Sequence, residues 1–102
     1  MRFEIAKTDV VLPQTVHDAI DHKVAKLTER LKRYHPDVAD LELRVEFNTY
    51  EKTHECALNL KAFKDTLHAK KAAPELRVAV DKTFDALLKE LDHYRAKINK
   101  SL

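Results

Sequence analysis

The chain has 102 residues, of which 44% are hydrophobic and 35% are charged, the composition of one globular domain spanning residues 1–102. It contains no glycine, so the glycine-rich loops that hold nucleotide phosphates are excluded. No apolar run is long enough to span a membrane, no signal peptide is recognisable, and Cys56 is the single cysteine. We therefore expect a cytoplasmic protein without a disulfide. The net charge of +2 is small, so attraction to an anionic partner must come from a local patch.

The first third of the chain predicts a strand followed by a helix. Residues 2–7 alternate, with Phe3 and Ile5 on one face, as in a half-buried strand. Pro13 suits the first turn of a helix, and Pro36 marks its end because the residue before a proline disfavours helical backbone. Between them, apolar residues follow helical spacing: Val16, Ile20, Val24, Leu27, Leu31 and Tyr34.

The middle of the chain predicts three strands joined by short turns. Residues 41–47 and 55–63 alternate between apolar and polar side chains, and residues 66–70 form a shorter strand after a hairpin turn at Lys64 and Asp65. The residues predicted to face inward are Leu41, Leu43, Val45, Phe47, Cys56, Leu58, Leu60, Ala62, Leu67 and Ala69.

Residues 74–100 predict a second helix, with one apolar stripe at steps of three and four. The stripe is formed by Leu76, Val80, Phe84, Leu87, Leu91, Tyr94 and Ile98. The charges on the rest of this helix are sorted by sign. Asp81, Asp85 and Asp92 lie on one side and the lysines on another.

The element order is therefore βαβββα. We expect an α+β fold, a single four-stranded sheet with both helices packed on one face, because each strand has one apolar and one polar side. The first helix connects strands one and two, which should be parallel, and strands two to four should form an antiparallel meander.

No constellation of catalytic or metal-ligating residues is recognisable. His54 and Cys56 share a strand face, but a zinc site needs further ligands. A nucleophilic pair of these two residues would need a pocket and a thiol of lowered pKa, and an inward strand position argues against both. We expect a non-catalytic protein with no metal, no cofactor and no small-molecule substrate, so a binding surface remains.

The candidate surface is cationic. Four basic residues line one flank of the first helix and four line one flank of the second, and two lysines precede the second helix. The predicted RNA-binding residues are Lys23, Lys26, Arg30, Arg33, Lys70, Lys71, Lys82, Lys89, His93 and Lys97. If the helices pack with these flanks facing each other, the groove between them becomes a strip suited to phosphates. Because exposed aromatic residues are scarce, with Tyr50 the one good candidate for stacking, structured RNA fits better than single strands.

The chain resembles the ribosome hibernation-promoting factors, the ribosome-associated inhibitor or "sigma-54 modulation" family of bacteria. The likeness covers nearly the whole chain. It is carried by residues 19–27, similar to the family's repeated lysine–leucine pairs, and by residues 75–81 and 87–91, similar to its acidic–x–Tyr–x–Ala–Ile–Asp run and following amphipathic helix. Arg77 stands where the family usually has tyrosine, and the glycine often found before the fourth strand is missing.

The resemblance implies a βαβββα sandwich similar to a double-stranded-RNA-binding domain. It also implies binding to ribosomal RNA of the small subunit, in the channel of messenger and transfer RNA, which blocks translation and protects idle ribosomes under stress. The chain looks like the family's short type or a piece of a long one. We expect a monomer.

Two other functions stay open. A protein-interaction regulator, for instance of a transcription factor, would need an exposed apolar patch on the outer face of the sheet. A free-standing binder of structured RNA would bind bare duplex RNA as well as it binds ribosomes.

Overall fold

The computed structural model describes residues 2–32, 39–62 and 65–100, apart from the side chains of residues 95 and 97–100. It contains four strands and two helices in the predicted order. These are β1 (Arg2–Thr8), α1 (Gln14–Leu31), β2 (Ala39–Asn48), β3 (Thr53–Ala62), β4 (Asp65–Ala73) and α2 (Leu76–Lys100). Neither helix has an apolar stretch of the length and hydrophobicity that crossing a membrane requires, as far as the described residues show.

The four strands form one mixed sheet in the order β1-β2-β3-β4. Strand β1 pairs with β2 in parallel, and β2, β3 and β4 form an antiparallel meander, as predicted. Parallel pairing needs a crossover connection, which α1 supplies. The one irregularity in the pairing of β1 is a shift at Ala6, between Ile5 and Lys7.

Both helices contribute to a single core on one face of the sheet. The alternating residues Leu41, Leu43 and Val45 of β2 are at most 1% exposed. They belong to the same buried cluster as Leu27 of α1 and Leu87 of α2. The predicted α+β fold is confirmed, because the apolar stripe of each helix can leave water only against the apolar face of the sheet.

The ends of several elements differ from the prediction. Strand β4 continues to Ala73 because β3 is long enough to pair with it as far as His54. Helix α2 begins at Leu76 instead of Pro74, whose carbonyl oxygen lies 2.9 Å from His54 Nδ1 and accepts its hydrogen bond. The predicted end of α1, before Pro36, lies outside the described residues. Of the predicted hairpin turn, Lys64 lies outside them and Asp65 is the first residue of β4.

Phe47 is a further difference. It was predicted to face inward with the rest of β2, yet it is 39% exposed. It lies near the end of the sheet, opposite His54, and the two ring centroids are 5.0 Å apart. By the alternation of β2, Phe47 stays on the face of Leu43 and Val45, which carries the helices, but it does not belong to the buried core.

The two helices begin at the same end of the sheet. Helix α1 follows the end of β1, where Thr8 pairs with Val45, and α2 follows the end of β4, where Ala73 pairs with His54. The turn between β2 and β3 lies at this end as well, because Asn48 pairs with Thr53 there. The helices therefore run parallel along the sheet, and this fixes which of their side chains can meet.

Candidate nucleic-acid interface

Two ion pairs join the facing flanks of the helices. Lys23 Nζ lies 3.5 Å from Asp85 Oδ1, and Arg30 Nη1 lies 3.2 Å from Asp92 Oδ1. Within each helix the two paired residues are seven positions apart, which is two turns and therefore the same flank. The basic flank of α1 thus faces the acidic flank of α2.

This arrangement corrects the expectation that the two cationic flanks face each other across a common groove. The groove beside Lys26 and Arg30 receives Leu88 from α2. Lys82 and Lys89 instead border a depression on the other side of α2. The apolar stripe must point to the sheet, and with the stripe fixed the acidic flank is the one turned toward α1. The cationic flanks are consequently separated by Asp85 and Asp92.

The basic flank of α2 meets a lysine from the edge of the sheet. Lys71 pairs with Cys56 in β3, so its side chain is on the face that carries the helices. Asp85 borders a depression of about 470 Å³ together with three lysines, Lys71, Lys82 and Lys89. We call these three lysines the lysine edge. None of them forms an ion pair with another described residue.

Lys70 does not belong to this cluster, although it precedes Lys71 directly. Successive side chains of a strand point to opposite faces of the sheet. Lys70 is therefore on the outer face, where its Nζ lies 3.7 Å from Glu55 Oε2. Grouping the two lysines by their closeness in the sequence overlooked this alternation.

The remaining predicted residues are placed as follows. Lys26 is exposed in the groove between the helices and has no ion pair with a described residue. His93 is exposed one turn after Lys89. Arg33 lies outside the described residues, and Lys97 lies in α2 with its side chain outside them. Of the predicted lysines and arginines whose side chains are described, Lys26 and the three lysines of the lysine edge are thus without an ion pair. Arg2, Lys52 and Lys61, which were not predicted as contacts, are also unpaired among the described residues.

Three lysines outnumber the one carboxylate at this depression, Asp85, which is already paired with Lys23, so the depression suits an anion held by charge alone. Lysine is a flexible point charge with three donors and no fixed geometry, so three lysines around an open depression can bind phosphate without reading a sequence. No group of three or more potential metal ligands occurs in the described ranges. Cys56 is fully buried, and desolvation raises the pKa of its thiol to about 11, so the thiol stays neutral near pH 7.

Sequence reasoning missed the cross-helix ion pairs. A signal for them existed, because Asp85 and Asp92 have the same spacing as Lys23 and Arg30. Two helices that run parallel and carry opposite charges at equal spacing can pair at both positions. The direction of the helices follows from the strand topology, and the strand topology was predicted correctly.

Comparison with known families decides what kind of protein this is. Residues 5–99 match the family described as "Sigma 54 modulation protein / S30EA ribosomal protein". The chain belongs to this family. The resemblance drawn from the helix motifs is therefore confirmed, and it extends across every element of the fold, including strands that carried no motif.

Two solved structures have the same fold. A ribosomal subunit interface protein from Coxiella burnetii aligns with a TM-score of 0.72 at 17% identity, covering 94% of this chain and 99% of that one. The Protein Y N-terminal domain from Thermus thermophilus aligns with a TM-score of 0.69 at 16% identity, covering 92% of this chain and 99% of that one. At such identities the likeness shows the fold alone. A search among curated proteins gives no significant match.

Proposed function

We propose that this family member is a non-catalytic, ribosome-binding inhibitor of translation that acts as a hibernation factor. It binds the small ribosomal subunit and occupies the channel of messenger and transfer RNA. The observation that carries the proposal is the family match over residues 5–99, since the family description includes a ribosomal protein. The similar structure named as a ribosomal subunit interface protein supports the same partner.

The lysine edge is the first contact with ribosomal RNA in this proposal. Lys71, Lys82 and Lys89 have no intramolecular carboxylate to leave among the described residues, so phosphate can bind them without breaking an existing ion pair. Lys26 and His93 extend this set to the groove and to the next turn of α2. The affinity comes from neutralising phosphates and releasing their counterions.

Lys23 and Arg30 play a secondary part. Each already has a carboxylate partner, and Lys23 has only 22% of its side chain exposed. A phosphate that binds them must compete with Asp85 and Asp92. Arg33 and Lys97 remain candidate contacts on sequence position alone, and Lys70 is the weakest candidate because it lies on the outer face with Glu55.

A protein-interaction regulator is disfavoured by the outer face of the sheet. This face is bordered by charged and amide side chains, among them Arg2, Glu42, Asn59 and Lys61. No large hydrophobic residue of the described outer face is exposed. A docking site for a protein partner would need a contiguous apolar patch there.

Sedimentation with isolated ribosomal subunits tests the proposal. We expect the protein to travel with the small subunit, and to be displaced when messenger RNA and a transfer RNA are bound first. Binding that is unaffected by these RNAs would contradict occupancy of the channel. Equal binding to a bare RNA duplex would identify a general binder of structured RNA instead.

A further inference from the structure

The turn between β2 and β3 presents one aromatic ring to solvent. Tyr50 is 97% exposed, the highest value for a large apolar residue in the described chain. At the base of the same hairpin, the half-exposed ring of Phe47 lies against His54. The core does not use Tyr50, and neither does the cationic surface.

The backbone of this turn is fixed by hydrogen bonds. The side-chain oxygen of Asn48 accepts hydrogen bonds from the backbone N–H groups of Tyr50 and Glu51, at 3.0 and 3.1 Å. Lys52 has a φ of 54°, a left-handed conformation that non-glycine residues seldom adopt. The strand ladder resumes at once, where Thr53 pairs with Asn48. A short polar turn with these constraints holds the aromatic ring away from the protein.

We propose that Tyr50 is a stacking platform for an unpaired base of ribosomal RNA, a contact separate from the lysine edge. This inference rests on the proposed function for the identity of the nucleic acid. Base stacking needs only the face of one ring, and every base can supply its own face. A protein partner would need a continuous apolar surface, whereas the neighbours of Tyr50 in the turn are the polar residues Thr49, Glu51 and Lys52.

The stacking contact has a distinct dependence on salt. Glu51 and Lys52, the two residues that follow Tyr50, carry opposite charges, so the turn has no net charge to attract phosphate. Stacking releases no counterions, whereas lysine–phosphate contacts do. Tyr50 should therefore increase the affinity by the same factor at every salt concentration. The factor contributed by the lysine edge should fall as the salt concentration rises.

The test measures the affinity of the full chain for the small subunit at several salt concentrations. Tyr50→Ala should weaken binding by about tenfold at every concentration, within the range that alanine substitution of a stacking aromatic gives. The slope of log affinity against log salt should not change. Tyr50→Phe keeps the ring and should bind within about twofold of the wild type, which serves as the matched control.

A fluorescent variant reports the contact directly. The sequence contains no tryptophan, so Tyr50→Trp introduces a single indole at the turn. Stacking on a base should quench its emission when the small subunit is added. A blue shift without quenching would show that the ring enters an apolar protein surface, and would overturn the proposal.

The two proposals fail in different ways. If Tyr50→Ala binds like the wild type while substitution of the lysine edge still weakens binding, the stacking platform is wrong and the ribosome-binding function stands. If the wild-type protein does not bind the small subunit at all, the proposed function is wrong, and the stacking proposal that rests on it falls too.

Discussion

Cys56 lies on the central strand β3 and is completely buried, between Val45 of β2 and Lys71 of β4 in the ladder. Its position keeps the thiol away from water. Burial removes the water that would solvate a thiolate, and this raises the pKa of the thiol from about 9 to about 11. The residue therefore behaves as a small hydrophobic side chain.

The pKa of Cys56 predicts how stability depends on alkaline pH. Because the native pKa is the higher one, the stabilising effect of the neutral thiol is complete below about pH 9 and is lost as pH rises toward 11. The loss is no more than about 3 kcal/mol, at 1.36 kcal/mol for each pKa unit. Urea unfolding of the wild type and of Cys56→Ala measures it. The wild type should lose stability relative to the variant between pH 9 and 11, and a constant difference between the two proteins would contradict this.

At the scale of elements, the contact between α1 and α2 is polar on its exposed side. Lys23–Asp85 and Arg30–Asp92 connect the helices two turns apart, above a core that contains Leu27 and Leu87. Exposed ion pairs of this kind stabilise a protein by only a few tenths of a kcal/mol to about 1 kcal/mol each. Their larger effect is on binding, because each carboxylate occupies a cation that could otherwise bind phosphate.

Neutralising the two carboxylates should therefore strengthen RNA binding. In Asp85→Asn/Asp92→Asn, Lys23 and Arg30 lose their partners and become available, so we expect several-fold tighter binding to the small subunit and a salt slope steeper by up to about two. The free energy of unfolding should fall by about 1 kcal/mol or less. Affinity at several salt concentrations and urea unfolding check the two effects.

A matched control removes two charges without releasing a cation. Asp21 and Glu90 are exposed on the helices and form no ion pair with a described residue, so Asp21→Asn/Glu90→Gln changes the net charge equally. This variant should bind less tightly than Asp85→Asn/Asp92→Asn. If the two variants gain the same affinity, only net charge matters. If Asp85→Asn/Asp92→Asn binds more weakly than the wild type, the carboxylates position Lys23 and Arg30 for RNA instead of competing with RNA for them.

At the scale of the whole molecule, periodicity was sufficient to predict the fold. The alternation in β2 matches one buried face of the sheet, and the stripe from Leu76 to Leu91 matches one buried face of α2. The apolar face of the sheet must therefore be covered by the apolar stripes of the helices. The last residue of β4 and the first residue of α2 were less predictable, because each depends on contacts with the neighbouring strand β3. The length of β3 decides where β4 stops, and the carbonyl of Pro74 is held by His54.

The candidate site was predictable in its residues and not in their grouping. Helical spacing identified the basic flanks, but which flank of α2 faces α1 follows from how both helices lie on the sheet. Lys71 lies beside the basic flank of α2 and Lys70 does not, because successive side chains of a strand point to opposite faces of the sheet. Tyr50 was recognisable as an exposed aromatic residue from its place in a polar turn, whereas the hydrogen bonds of Asn48 that hold this turn became visible only in the structure.

The central claim is that the lysine edge binds ribosomal RNA through phosphates. The most direct test is the slope of log affinity for the small subunit against log salt, for Lys71→Gln/Lys82→Gln/Lys89→Gln and for a control with the same charge change. The control is Lys7→Gln/Arg44→Gln/Lys61→Gln, whose residues lie along the outer face of the sheet and are not proposed contacts. We predict that the first variant binds more weakly, with a slope reduced by about three, one for each lysine–phosphate contact. The control should keep the wild-type slope. Equal slopes for the two variants would contradict the account.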